Sequence, residues 1–156
     1  MINLFNGEYE FLSNFYFGKN KIFFEGLYYP TAEHAFQAAK TIIPGEMDLI
    51  RNCKTPGQAK RMASKKTGKI TLRPNWDSIK DSIMLIIVIN KFKDPILEEK
   101  LISTYPKQLT EGNYWHDNYW GDCNCEICSC REGLNKLGNI LMNVRDNKLN
   151  IGGLFL

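Results

Sequence analysis

Apolar residues recur along this chain at two spacings, and the helical one dominates. Trp76, Ile79, Ile83, Met84, Ile86 and Ile87 repeat every three or four positions, predicting a helix from about Trp76 to Phe92. Its second half is apolar nearly all round, as expected of a central core helix. Asp94-Pro95 ends it and starts another helix running to about Thr104. Leu134, Leu137, Leu141, Met142 and Val144 mark the apolar face of a last helix over Gly133–Arg145. Upstream, Pro30-Thr31 announces a helix over Ala32–Thr41 with Thr31 as N-cap, closed by Pro44-Gly45. Two short helices are predicted at Glu46–Asn52 and Pro56–Lys65, the second with proline in its first turn.

The first thirty residues carry aromatic-rich segments, Glu8–Phe11, Lys21–Phe24 and Gly26–Tyr29, which predict short strands and turns. Residues 107–130, rich in Trp, Tyr, Asn and Gly, read as strand and loop, and the tail Leu149–Leu156 as a segment packing back, an edge strand. No repeat, low-complexity tract or linker interrupts the pattern. The expectation is an α+β, predominantly helical, single domain spanning 1–156.

Composition narrows the class. The chain has 156 residues, 44% of them hydrophobic and 12% aromatic, enough to build a core without staples. The N-terminus lacks the features of a signal peptide, and the longest apolar run, Ile83–Ile89, is far too short for a bilayer. A soluble cytoplasmic protein with no membrane partner is expected; no signal speaks to oligomeric state. Net charge is only +3, but Leu49–Trp76 contains no acid and holds Arg51, Lys54, Lys60, Arg61, Lys65, Lys66, Lys69 and Arg73. Such a stretch is either a solvated face or a receiver of phosphate from a sugar phosphate, a pyrophosphate or a nucleic-acid backbone.

Candidate chemistry lies in four places. In YPTAEHAFQAAK, Glu33 falls in the first helical turn, with Gln37 at i+4 and Lys40 at i+7. The polar stripe, bordered by Ala35, Phe36, Ala38 and Ala39, either lines a cavity or faces solvent. NYWHDNYWGD at 113–122 interleaves large aromatics with acids and amides, as in a loop that stacks on planar bases and reads sugar hydroxyls; the competing reading is a hydrophobic cluster under a long loop. Leu12-Ser13-Asn14-Phe15-Tyr16 is a polar turn between aromatics. Finally, Cys123, Cys125, Cys128 and Cys130 are spaced C-x-C-x-x-C-x-C. Four ligands from eight residues would be cramped around zinc, and three thiols with His116 would fit more easily. Reduced thiols in a tight loop are the expectation, with no metal and no cofactor. A zinc deaminase is excluded, because the order is Glu33-His34 and no proline precedes Cys125.

Taken together, FLSNFY at 11–16, YPTAEHAFQAAK at 29–40, Asn75-Trp76 after the basic region, DNYWGD at 117–122 and GLNKLGNILMNVR at 133–145 resemble the YbiA/NADAR family in order and spacing. The resemblance implies an N-glycosyl hydrolase cleaving a base from C1 of a phosphorylated ribose. Its substrate would be either ADP-ribosylated guanine in nucleic acid or a phosphoribosylamino-pyrimidine of the riboflavin pathway. It places Glu33, Asp122, Lys40 and Trp76 at the catalytic centre. Ser13, Asn14, Phe15, Gln37, Asn118, Tyr119, Trp120 and Gly121 would contact substrate. The cysteine-rich stretch after Asp122 departs from relatives with a Gly/Lys-rich loop there. Two other readings stand beside it: a non-catalytic module binding ADP-ribose or NAD through the same aromatic pocket and basic patch, and a zinc-stabilised nucleic-acid-binding protein using the basic stretch and the cysteines.

Overall fold

A computed structural model describes residues 1–150. Among these, contacts gather into two compact units: residues 14–91, and residues 1–13 together with residues 92–150.

The unit of residues 14–91 opens with an antiparallel hairpin, β1 (Ile22–Phe24) and β2 (Leu27–Tyr29), turned by Glu25 and Gly26, both at positive φ as a two-residue hairpin turn demands. Four helices follow: α1 (Ala32–Ala38), α2 (Pro44–Arg51), α3 (Pro56–Met62) and α4 (Trp76–Lys91). Helix α1 packs against α2, α3 and α4, and β1 lies on α4. Its core includes Phe24, Tyr29, Phe36, Ile50, Ile83, Met84, Ile87 and Val88. The expected Trp76–Phe92 helix is present, but Ile86 is exposed, one position off the buried stripe Ile83-Met84-Ile87-Val88-Lys91. Helix α1 stops earlier than expected: Lys40 and Thr41 donate to Gln37 and Ala38 carbonyls in a tightened last turn.

The other unit contains a 3-10 turn over Gly7–Leu12, helices α5 (Pro95–Ser103) and α6 (Lys136–Lys148), and a two-residue parallel pair, β3 (Gly112–Asn113) with β4 (Asp122–Cys123). Segment 8–11, expected as a strand, is helical because Phe11 and its neighbour Leu12 are both buried; alternation would send one of them to solvent. Helix α6 begins three residues later than expected. Asn135 stands at φ 46, and Leu134, expected in the core, is 56% exposed. The Asp94 side chain caps α5, accepting from Ile96 and Leu97 N–H at 2.9 and 3.4 Å. Arg145, buried, donates to the Lys107 carbonyl (2.7 Å) and pairs with Asp146 (2.9 Å). The expected edge strand falls mostly outside the described residues, its first residue, Leu149, capping α6. Among the described residues no helix is long and apolar enough to cross a membrane.

Candidate active site

Helix α1 is anchored before it presents anything. Thr31 Oγ1 accepts the His34 backbone N–H at 3.2 Å, and the Asn14 carbonyl accepts that of Glu33 at 2.9 Å. The His34 ring is 2.7 Å from Thr31 Oγ1 and 3.0 Å from the Cys53 carbonyl. Since a carbonyl only accepts, Nε2 carries the proton and Nδ1 receives the threonine hydroxyl. His34 is thus a satisfied core residue, its pKa pushed below the ordinary histidine value chiefly by burial.

Every residue of α1 is buried, so the Glu33–Gln37 stripe does not face bulk water. Glu33 is 6% exposed, and its Oε1 accepts Gln37 Nε2–H at 2.7 Å. Just past the helix, the Lys40 carbonyl accepts Arg73 N–H at 2.8 Å, and its Nζ lies 6.0 Å from the centre of the Trp76 ring. Trp76, the first residue of α4, is buried and stacks at a tilt on Phe36, 5.1 Å between centroids. Burial pushes the Lys40 amine below the usual lysine range; Glu33 opposes the shift, and Lys60 and Lys65 add to it. Lys60 also sits 6.0 Å from the ring of Phe15.

Buried polar atoms normally find partners. Yet Asn14 Oδ1, Gln37 Oε1 and Arg73 Nε are buried with none among the described residues. Asn14 spends its amide nitrogen on the Met84 sulfur (3.3 Å) and Gln37 spends its own on Glu33. Arg73 directs Nη1 to the Ala39 carbonyl at 3.2 Å. Two unmatched acceptors and one unmatched donor, on α1 and on segments hydrogen-bonded to it or to the residues just after it, suit a polar ligand.

In the other unit the 117–122 segment is a loop held from inside. Asp117 Oδ1 accepts N–H from Tyr119 (3.1 Å) and Trp120 (2.9 Å), and Asn118 Oδ1 accepts that of Cys123 (2.9 Å), leaving Asn118 Nδ2 buried without a partner among the described residues. The carbonyls of Asn118, Tyr119, Trp120 and Gly121 accept N–H from Leu134, Lys136, Leu137 and Asn135. Donors that a helix start leaves open therefore fix the loop. Gly121 lies so close that a Cβ would stand 2.2 Å from the Glu111 carbonyl oxygen. Asp122 Oδ1 accepts Gly133 N–H at 2.8 Å, and the residue borders a polar hollow of about 490 Å³ with Asn124, Glu132 and Asn135. Tyr119 and Trp120 meet edge to face, half-buried, whereas Tyr114 and Trp115 are exposed.

Of the residues singled out in the sequence, Asn14, Glu33, Gln37, Lys40 and Trp76 come together within the first unit, with Phe15 beside Lys60. Asn118–Gly121 form one loop of the second, Asp122 opens β4 directly after it, and Ser13 closes that unit's 3-10 turn. Asn135 was missed. Its amide donates to the Leu109 carbonyl (2.9 Å) and accepts from Glu111 (3.0 Å), and its only mark in the sequence is its place before the apolar period of α6.

Comparison with known proteins matches residues 4–149 to the NADAR domain family. The chain is 34% identical over 123 residues to the N-glycosidase YbiA of Escherichia coli (strain K12), covering 78% of this chain and 72% of that protein. It is 33% identical over 148 residues to the N-glycosidase Npun_R5314 of Nostoc punctiforme, covering 89% and 88%. Its fold is similar to the NMR structure of the E. coli protein YbiA, with a TM-score of 0.77 and 31% identity over 96% of this chain and 88% of that one. The α+β fold expected from the sequence is thus the YbiA-like fold.

Proposed function

This chain belongs to the NADAR domain family, and from that premise we propose that it is an N-glycosidase hydrolysing the bond between a nitrogenous base and C1 of a phosphorylated ribose. The observation that carries this reading is the buried Glu33 carboxylate, aligned by Gln37, with the Lys40 ammonium and the Trp76 indole on the same unit. N-glycosidases named among its relatives support the reaction class.

Cleaving a ribosyl C–N bond passes through an oxocarbenium-like state, positive at C1. Glu33 stabilises that charge and takes a proton from the attacking water, whose oxygen bonds to C1 as the C1–N electron pair leaves with the base. Lys40 protonates the departing nitrogen; its lowered pKa makes it a better acid than an ordinary lysine. Trp76 offers a face for the base. Asn14, Gln37 and Arg73, each with an unmatched buried atom, supply ligand hydrogen bonds, and Lys60 and Lys65 supply the charge that receives phosphate. The family resemblance implies a catalytic role for Asp122 and substrate contacts for Ser13, Phe15, Asn118, Tyr119, Trp120 and Gly121, each tested by its own substitution.

The substrate is either ADP-ribosylated guanine in nucleic acid or a riboflavin-pathway phosphoribosylamino-pyrimidine. Purified protein is offered both side by side, and the products are identified by mass. Release of a free base from one of them is expected. Tight binding of both with neither cleaved would overturn the enzyme reading in favour of a module that binds ADP-ribose or NAD.

A further inference from the structure

The cysteines after Asp122 are not used by the chemistry above. Cys123 ends β4, Cys125 and Cys128 flank a tight turn in which Cys128 and Ser129 N–H donate to the Cys125 carbonyl at 3.0 and 2.9 Å, and all are free thiols. His116 approaches them from upstream. Its Nδ1 lies 3.3 Å from Cys125 Sγ and 3.4 Å from Cys128 Sγ, and its backbone N–H donates to Cys123 Sγ at 3.3 Å. The four donor atoms of His116, Cys123, Cys125 and Cys128 all lie within 4.8 Å of one another.

We propose that His116, Cys123, Cys125 and Cys128 form a structural zinc site. Tetrahedral Zn²⁺, with sulfur at about 2.3 Å and nitrogen at about 2.0 Å, sets its ligand atoms roughly 3.5–3.8 Å apart. His116 Nδ1 stands 3.3 and 3.4 Å from the Cys125 and Cys128 sulfurs, a few tenths of an ångström from that spacing, and no two of the four donor atoms are more than 4.8 Å apart. Crowding, the objection to four thiols from eight residues, is removed because the fourth ligand is His116. Cys130 is exposed and stands outside the group, its sulfur on the Ile127 carbonyl. His116 adopts φ 68, uncommon outside glycine, and so presents ring and backbone N–H to the sulfurs together. The N–H on Cys123 Sγ offsets part of the single negative charge that three thiolates leave on Zn²⁺.

With four protein donors and no open position, the ion is structural rather than catalytic. Its ligands bracket Asp117–Asp122, so the metal fastens the loop carrying Asn118, Trp120 and Asp122 at its outer end, as the start of α6 fastens it at the inner one. The site stands apart from the glycosidase reading, because metal content and coordination are measured without any substrate.

The test is elemental analysis of untagged full-length protein, purified under reductant and reconstituted with zinc, followed by X-ray absorption. About one zinc per chain, with three sulfurs and one nitrogen in the shell, is the expected result. Replacing zinc by Co²⁺ should give intense tetrahedral thiolate bands, and a strong chelator should lower Tm. His116→Ala and Cys128→Ser should lose the metal to a moderate chelator that wild type resists, while Cys130→Ser and Cys53→Ser retain it. Wild-type protein that stays metal-free after reconstitution would overturn the proposal whether or not the variants fold. So would a shell lacking nitrogen, or metal lost equally from Cys130→Ser.

Discussion

His34 sits in the first turn of α1 with its ring nitrogens on Thr31 Oγ1 and the Cys53 carbonyl, and burial disfavours its protonated form although the Cys53 carbonyl opposes the shift. Its native pKa lies below the unfolded value, and between the two the unfolded chain binds more protons. The stability it supplies is therefore complete above about pH 6.5 and is lost progressively as pH falls below that, until the native pKa is reached. Tm should decline on acidification from about pH 7, with a shallower slope in His34→Gln, read by thermal denaturation across pH. Lys40 carries the second prediction. Lys40→Met should reduce turnover roughly 100-fold or more with the fold retained. Wild-type activity should fall on the alkaline side at a pH below the ordinary lysine value of about 10.4, where the ammonium is lost. A borohydride-trapped adduct on Lys40 would contradict the proton-donor role and make it a covalent amine. The sequence displayed Glu33, Gln37 and Lys40 at helical spacing, but not whether the stripe met water. Burial is set by α2, α3 and α4 packing around α1, and such long-range contacts leave no period in α1 itself.

At the scale of elements, α6 and the 118–121 loop form one device, because four loop carbonyls take the N–H groups at and just before the start of the helix. A side chain at Gly121 would meet the Glu111 carbonyl at 2.2 Å, and one at Gly133 the Gly121 carbonyl at 2.4 Å. Each Gly→Ala change should cost about 1–3 kcal/mol through overpacking, measured by urea denaturation, and should weaken substrate binding more than a surface Gly45→Ala control, whose Cβ would meet nothing. The helices were legible where caps and stops agree with the apolar period, as for α4 and α5. Gly7–Leu12 and the start of α6 were not. In the first, two adjacent apolar residues are buried by tertiary packing. In the second, Gly133–Asn135 serve the loop instead of the helix, a use that helix periodicity does not encode.

For the whole molecule, a net charge of +3 hides a concentration of cations between Leu49 and Trp76. If Lys60 and Lys65 receive phosphate, KM for a phosphorylated substrate should rise with ionic strength, and the dependence should weaken in the Lys60→Ala, Lys65→Ala double variant with kcat nearly unchanged. The opening residues were least legible. Ile2 bridges to Leu109, and Asn3 accepts from Gly112, across about a hundred residues, a pairing that no local pattern announces. Glu33 at the reacting carbon remains the centre of the account, and free-base release by Glu33→Gln tests it most directly. That variant keeps size and helix preference while removing the charge. Its turnover should fall about 100- to 10,000-fold with circular dichroism and Tm close to wild type. Near-normal turnover by a folded Glu33→Gln protein would contradict the account.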